Sequence, residues 1–190
     1  MMNDCVRAEE GVHVQFQGDR ESAIFHNFSG RKNDYVVSAV YAAMRMLDKL
    51  DDYNKKLSYD ERQFDIGIGL QIGDIFASRL GLRGRKSNFA MGQTVADADY
   101  AENEVAGAVI GNTQSEIAVT RDVYDYLVNV DNKNLASSFR RAFNRRGDHY
   151  ISTTSYSQFS QIYDIVTQNN NAGRASQNSA IKPWGTSGKE

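Results

Sequence analysis

Cysteine occurs once in this sequence of 190 residues, at Cys5. One thiol excludes an internal disulfide and fits a reducing compartment, the cytoplasm. Proline also occurs once, at Pro183, so no proline breaks a helix or a strand ladder before it. No apolar run approaches the roughly 20 residues that cross a bilayer as a helix. The opening MMNDCVRAEEG has no apolar stretch of the kind a signal peptide needs. A basic excess is missing too: 22 Lys and Arg against 24 Asp and Glu leave a net charge of −2, which argues against nucleic acid as a partner. His13, His26 and His149 are scattered without ligand spacing, which argues against zinc.

What is present is the make-up of a soluble globular protein, 41% hydrophobic and 24% charged, in a chain long enough for one domain with a full core. Val12, Val14 and Phe16 alternate with His13, Gln15 and Gln17, and a second strand-like run spans residues 22–28. Gly18-Asp19 between them reads as the turn of a half-buried hairpin. Val36, Val37, Val40, Met44 and Leu47 then fall on one helical stripe, with Asn33 or Asp34 as the cap. A polar connector leads to FDIGIGLQIGDIFASRLG, which reads as a strand over 64–72, a turn or bulge at Gly73-Asp74 and another strand through Leu80. Gly67, Gly69 and Gly73 mark places where another backbone or a ligand comes close.

A basic turn, GLRGRK, precedes the strand SNFAM. The next segment reads as a helix entered after Gly92 and closed by Gly107. SEIAVTRDVYDYL reads as a strand followed by a helix from about Thr120, NRRGDHYISTT as a last strand, and SQFSQIYDIVTQ as a final helix. From Asn169 onward the chain is polar and rich in Gly and Ser, the composition of a flexible tail. The expected organisation is a folded domain over 1–168 and a tail over 169–190. The fold class is α+β, a mostly antiparallel central sheet with flanking helices.

Three of these segments, in this order, resemble the catalytic domain of the class III nucleotidyl (adenylate/guanylate) cyclases. They are the hairpin QGDRESAIF, the glycine-spaced GLQIGDIFASRLG, and FAMGQTVADADYAE, similar to the family's Gly-[Asp/Asn]-Thr-Val helix entry. The resemblance runs from about Val12 to Ile151 and implies a ferredoxin-like, palm-type architecture. It puts Asp19 at the second of two metal-binding aspartates. The strand that carries the first lies upstream of the part of the fold this sequence covers, and Asp4 stands in the wrong context to replace it.

The same resemblance puts Gln15 and Phe89 at the two positions that read a purine base in the family. Neither purine code is present, and a site built to hydrogen-bond one base rejects another by roughly 10⁴-fold. Gln15 both donates and accepts, while Phe89 offers bulk and a stacking face. The family's transition-state Asn and Arg map onto Ala96 and Tyr100, and its phosphate-binding Lys falls near Ser152. Arg20, or the turn cations Arg83, Arg85 and Lys86, are the candidates to replace them, and the implied substrate-binding set is Gln15, Gln17, Arg20, Phe89 and Tyr100.

These departures make the chain most similar to the pyrimidine (uridylate/cytidylate) cyclases of bacterial anti-phage (Pycsar) systems. That implies conversion of UTP, ahead of CTP, to a cyclic nucleotide and pyrophosphate, and a downstream effector that the product activates. It also implies two Mn²⁺ or Mg²⁺ per active site and a homodimer with active sites at the interface.

Each assignment has a plainer alternative. Asp19 also suits a tight turn for its own sake, and Gln15 a solvent-facing strand position. Phe89 suits a core, and Tyr100 a core or interface. Asp65 reads as a structural edge residue. The cluster Arg140, Arg141, Arg145 and Arg146 suits an exposed helix end or contact with a neighbouring subunit's triphosphate. The function in a second class is a catalytically incomplete nucleotide-binding or regulatory module.

Overall fold

The computed structural model describes residues 1–18, 20–26, 34–58, 63–82, 85–106 and 115–179. Within them the chain runs α1 (Met2–Ala8), β1 (Val12–Gln17), β2 (Arg20–Ile24), α2 (Tyr35–Asn54), β3 (Gly67–Leu70), β4 (Phe76–Leu82) and β5 (Arg85–Met91). It continues as α3 (Gln93–Tyr100), a π-helical segment (Ala101–Ala106), β6 (Glu116–Thr120), α4 (Arg121–Val128), α5 (Lys133–Ala142), β7 (Asn144–Arg146), β8 (His149–Ser152) and α6 (Tyr156–Ser179). This is the expected α+β class. Four of the strand pairings are antiparallel, and the pair β3–β6 is parallel.

The central sheet has the order β3-β6-β8-β7, while β1-β2 and β4-β5 form separate two-stranded ladders. β6 is buried along its whole length, and its alternation organises both faces. Ile117 and Val119 point into the main core with Val36, Val40, Met44, Leu127, Phe139 and Phe159. Ala118 points the other way, against Ala101, Val105 and Ala106. Helices α2, α4, α5 and α6 supply the first of these faces, and α3 with its π segment lies on the second.

Helix α2 starts where a cap is available: the Asp34 side chain accepts from Val36 N at 2.9 Å and Val37 N at 3.1 Å. Its expected stripe is buried in full. The β1-β2 hairpin also has the expected turn, since Gln17 faces Arg20 and Gly18 adopts φ +67°, the sense that suits right-twisted strands.

Several elements depart from the sequence reading. The strand expected over 64–72 contracts to β3, and the chain after Gly73-Asp74 pairs forward with β5 rather than back with β3. The expected last strand is a hairpin, β7-β8, turned at Gly147 with φ +61°. Helix α1 has no counterpart in the sequence reading, and of α5 only the exposed helix end at its arginines does. α1 is seven residues long, too short to hold by itself, and packs Cys5 and Val6 inward while Glu9 just beyond it accepts from Arg45 Nε at 2.6 Å. Helix α6 continues through the first part of the expected tail to Ser179, and 180–190 lie outside the described residues. No helix among the described residues is long and apolar enough to cross a membrane.

Candidate functional site

β3 owes its place to two glycines. A Cβ at Gly69 would stand 2.0 Å from the carbonyl oxygen of Ala98 and 2.5 Å from the amide nitrogen of Glu102. A Cβ at Gly67 would stand 3.2 Å from the Glu102 carbonyl oxygen. The backbone of α3 and its π segment is therefore laid directly on the strand, and no other residue type permits that approach at position 69. Just past β3, a Cβ at Gly73 would meet the Thr94 hydroxyl at 2.5 Å, and that hydroxyl donates to the Asp74 carbonyl at 2.8 Å. Gly92, with φ +137°, turns the chain into α3.

At the carboxyl ends of the parallel strands β3 and β6, a polar network closes over α3. The Thr120 hydroxyl donates to Gln71 Oε1, which also accepts from Ile72 N at 2.9 Å. Gln71 Nε2 donates to Asp97 Oδ2 at 3.4 Å, and Gln93 Nε2 to Asp97 Oδ1 at 2.7 Å.

Among the described residues, Arg20 joins the hairpin to the same helix and its π segment. Arg20 Nη1 is ion-paired with Asp99 Oδ1, its Nε lies 3.2 Å from Glu102 Oε2, and its Nη2 donates to Asn103 Oδ1 at 2.9 Å. Asn103 is itself held by a bond from its Nδ2 to the Asp99 carbonyl at 3.0 Å. The hairpin has a second attachment on β1, where Asn88 Nδ2 of β5 donates to the His13 carbonyl at 3.0 Å.

Of the residues singled out from the sequence, Asp19 and Arg83 lie outside the described residues, as do the side chains of Gln15, Gln17, Arg85 and Lys86. Backbones of Gln15 and Gln17 lie in β1, opposite Ser22 and Arg20. Phe89 is half-buried on β5, opposite Ser78. Tyr100 ends α3 with 56% of its surface exposed and its ring 5.8 Å from that of His149. Ala96 is exposed on the same helix. Ser152 is buried and accepts from Thr154 N at 3.0 Å, a local turn contact. Asp65 is exposed just before β3.

The late arginines are largely committed elsewhere. Arg146 makes a two-pronged contact with the buried Glu116, at 2.7 and 2.9 Å, and donates to the Val105 carbonyl at 2.8 Å. Arg140 donates to the Val128 carbonyl at 2.6 Å and Arg145 to the Gly147 carbonyl at 2.9 Å.

Sequence reasoning missed Asp97, Asp99, Glu102 and Asn103 as partners. The signal was there in part, since Asp99, Glu102 and Asn103 stand at i, i+3 and i+4 and share a helical face. Nothing local identifies Arg20, about eighty residues away, as what they hold. As for a metal, no group of three or more His, Cys, Asp or Glu among the described residues is placed to hold one. The carboxylates nearest the hairpin are engaged with Arg20, so the described residues alone do not make a metal site.

No family model matches the chain, and no curated protein matches it. Solved structures do. The guanylyl cyclase Cya2 superposes with a TM-score of 0.55 at 17% identity, covering 79% of this chain and 72% of that one. Two structures of a bacterial light-regulated adenylyl cyclase give TM-scores of 0.58 and 0.52 at 16% and 14% identity. Each covers 88% of this chain, which spans about half, 47%, of theirs. The chain therefore has a nucleotidyl cyclase fold, in agreement with the class III expectation.

Proposed function

We propose that this chain is a nucleotidyl cyclase acting on a pyrimidine nucleoside triphosphate, UTP ahead of CTP. The ribose 3′-oxygen attacks the α-phosphorus, the bond from that phosphorus to the bridging oxygen breaks, and pyrophosphate leaves. The hydroxyl proton passes to water, and cyclic UMP is the other product. The observation that carries the reading is the cyclase fold combined with the Gly67–Gly69 seat on which α3 rests. In this reading Asp19 is the catalytic carboxylate at the hairpin turn and a ligand of Mn²⁺ or Mg²⁺. The cation would neutralise charge on the triphosphate.

Gln15, Gln17, Phe89 and Tyr100 form the substrate-binding set of the proposal. Phe89 supplies an apolar half-buried face and Tyr100 an exposed ring, both suited to a base or ribose. The catalytic unit is taken as 1–168 and the protein as cytoplasmic. A second copy of the chain is the proposed partner. Phe76 and Met91 are cross-strand neighbours on the β4-β5 ladder, exposed at 61% and 50%, and a two-stranded ladder with an uncovered apolar pair gains from a covering surface. The proposed biological role is synthesis of a second messenger in anti-phage defence, read by a separate effector.

One observation favours a binding or regulatory module instead. Ala96 and Tyr100 offer neither an amide nor a cation at the two helix positions where the resemblance implies them. Separate incubations with Mn²⁺ and each of ATP, GTP, UTP and CTP, products resolved by mass, decide between these readings. Cyclic UMP is expected, cyclic CMP supports the runner-up base, a cyclic purine overturns the base assignment, and no product from any nucleotide favours the module.

A further inference from the structure

The Gly18-Asp19 turn belongs to a two-stranded ladder that is marginal unless something holds it. Among the described residues, nothing beyond its chain neighbours lies within 4 Å of where a Cβ at Gly18 would stand. Its β1 strand is tied to β5 through Asn88 and the His13 carbonyl. At the turn end the tie is Arg20, the residue that follows Asp19. Its guanidinium reaches Asp99, Glu102 and Asn103 from three of its nitrogens.

We infer that Arg20 is a positioning residue, which fixes the carboxylate-bearing turn against α3 and its π segment and does not itself contact the triphosphate. The geometry argues this in two ways. A planar guanidinium bonded to Asp99 and Asn103, with its Nε 3.2 Å from the Glu102 carboxylate, is held in one orientation. The two carboxylates beside it also present negative charge toward any phosphate that would recruit it, so recruitment breaks two ion pairs and brings like charges together. α3 is in turn fixed on β3 by the Gly69 contact, so the chain of support runs from the central sheet through α3 to the turn.

The inference rests on the cyclase reading for the purpose of the turn, and two readouts separate them. Hydrogen exchange of the β1-β2 amides is compared in the wild type, Arg20→Met and Arg20→Lys, alongside steady-state cyclisation of UTP. In Arg20→Met the hairpin amides should exchange at least about tenfold faster while β3 and β6 keep their protection. Its kcat should fall on the order of 10²-fold with KM within about threefold, as for a misplaced but present catalytic group. Arg20→Lys, which keeps the charge but cannot span Asp99, Glu102 and Asn103 together, should fall between. Unchanged exchange in Arg20→Met overturns the clamp, and a KM raised tenfold with kcat kept shows that Arg20 binds substrate. A wild type that cyclises no nucleotide refutes the cyclase reading, and with it the turn's catalytic purpose, whatever the exchange data show of the clamp.

Discussion

Gly69→Ala is the substitution for which the structure makes the sharpest demand. The added methyl would stand 2.0 Å from the Ala98 carbonyl oxygen, 2.5 Å from Glu102 N and 2.9 Å from Glu102 Cβ, where ordinary contact begins at 3.4 Å. Two of these are backbone atoms, so no rotamer change relieves them. The helix must lift by well over an ångström, and Ala101, Val105 and Ala106 then lose their contact with Ala118. Overpacking of this kind costs about 1–3 kcal/mol and more where backbone must move. We expect about 3 kcal/mol, or roughly 6–12 °C in Tm for a chain of this size. Gly67→Ala and Gly147→Ala are the controls. The first meets its nearest atom at 3.2 Å and gains from a stiffer unfolded chain, so about 1 kcal/mol or less is expected. The second has free space but φ +61°, and about 1 kcal/mol of backbone strain. Thermal unfolding followed by circular dichroism, with urea titration for ΔG, measures all three. A Gly69→Ala protein as stable as Gly67→Ala would refute the claim that α3 rests on bare backbone.

Asp34→Ala removes the one oxygen that accepts from two amides at the start of α2, and the partner of the Tyr126 hydroxyl; a loss of about 1–2 kcal/mol in urea unfolding is expected. Arg146→Met leaves Glu116 buried without its guanidinium, and because Arg146 is itself about a third exposed we expect about 2–3 kcal/mol rather than the full cost of a broken buried pair. Glu116→Gln, which keeps an acceptor, should cost less in the same assay. Burial raises the Cys5 thiol above its usual value of 9.0, against the lowering influence of Lys49. The folded state therefore holds the thiol proton where the unfolded state has released it, a contribution intact below about pH 9 and lost as pH rises past it. The fall in stability above that pH should be shallower in Cys5→Ala, and alkylation of the native thiol at pH 8 should be much slower than in urea; a thiol that reacts equally fast in both would contradict its burial.

What could be read from the sequence was what local pattern encodes. The Val36–Leu47 stripe with Asp34 ahead of it, and Gly67, Gly69 and Gly73 as points of close approach, follow from periodicity and the absence of a side chain, whereas the expected alternation on β1 is interrupted by a register shift between His13 and Gln15, with Val12 exposed and Val14 buried. Helix α1 was hidden because its seven residues hold only by docking Cys5 and Val6 on α2. Helix α5 did carry a signal, Asn132 as cap before Leu135, Phe139 and Ala142, of which the sequence reading held only the helix end at its arginines. The partner of β4 was ambiguous because a turn at Gly73-Asp74 and one after Leu82 both suit a hairpin; in the structure β4 pairs with β5, and Thr94 lies against Gly73. At the site, Arg20 was singled out, but its acceptors lie on α3, and a contact between residues about eighty positions apart leaves no trace in either segment.

The most direct measurement of the central claim is the yield of cyclic UMP and pyrophosphate from UTP and Mn²⁺ by the wild-type chain and by Asp19→Ala, run side by side with both proteins shown to be folded. Equal amounts of the two products from the wild type and none from Asp19→Ala are predicted. Undiminished cyclisation by Asp19→Ala would contradict the assignment of the hairpin carboxylate, and UTP left intact by the wild type would contradict the function itself.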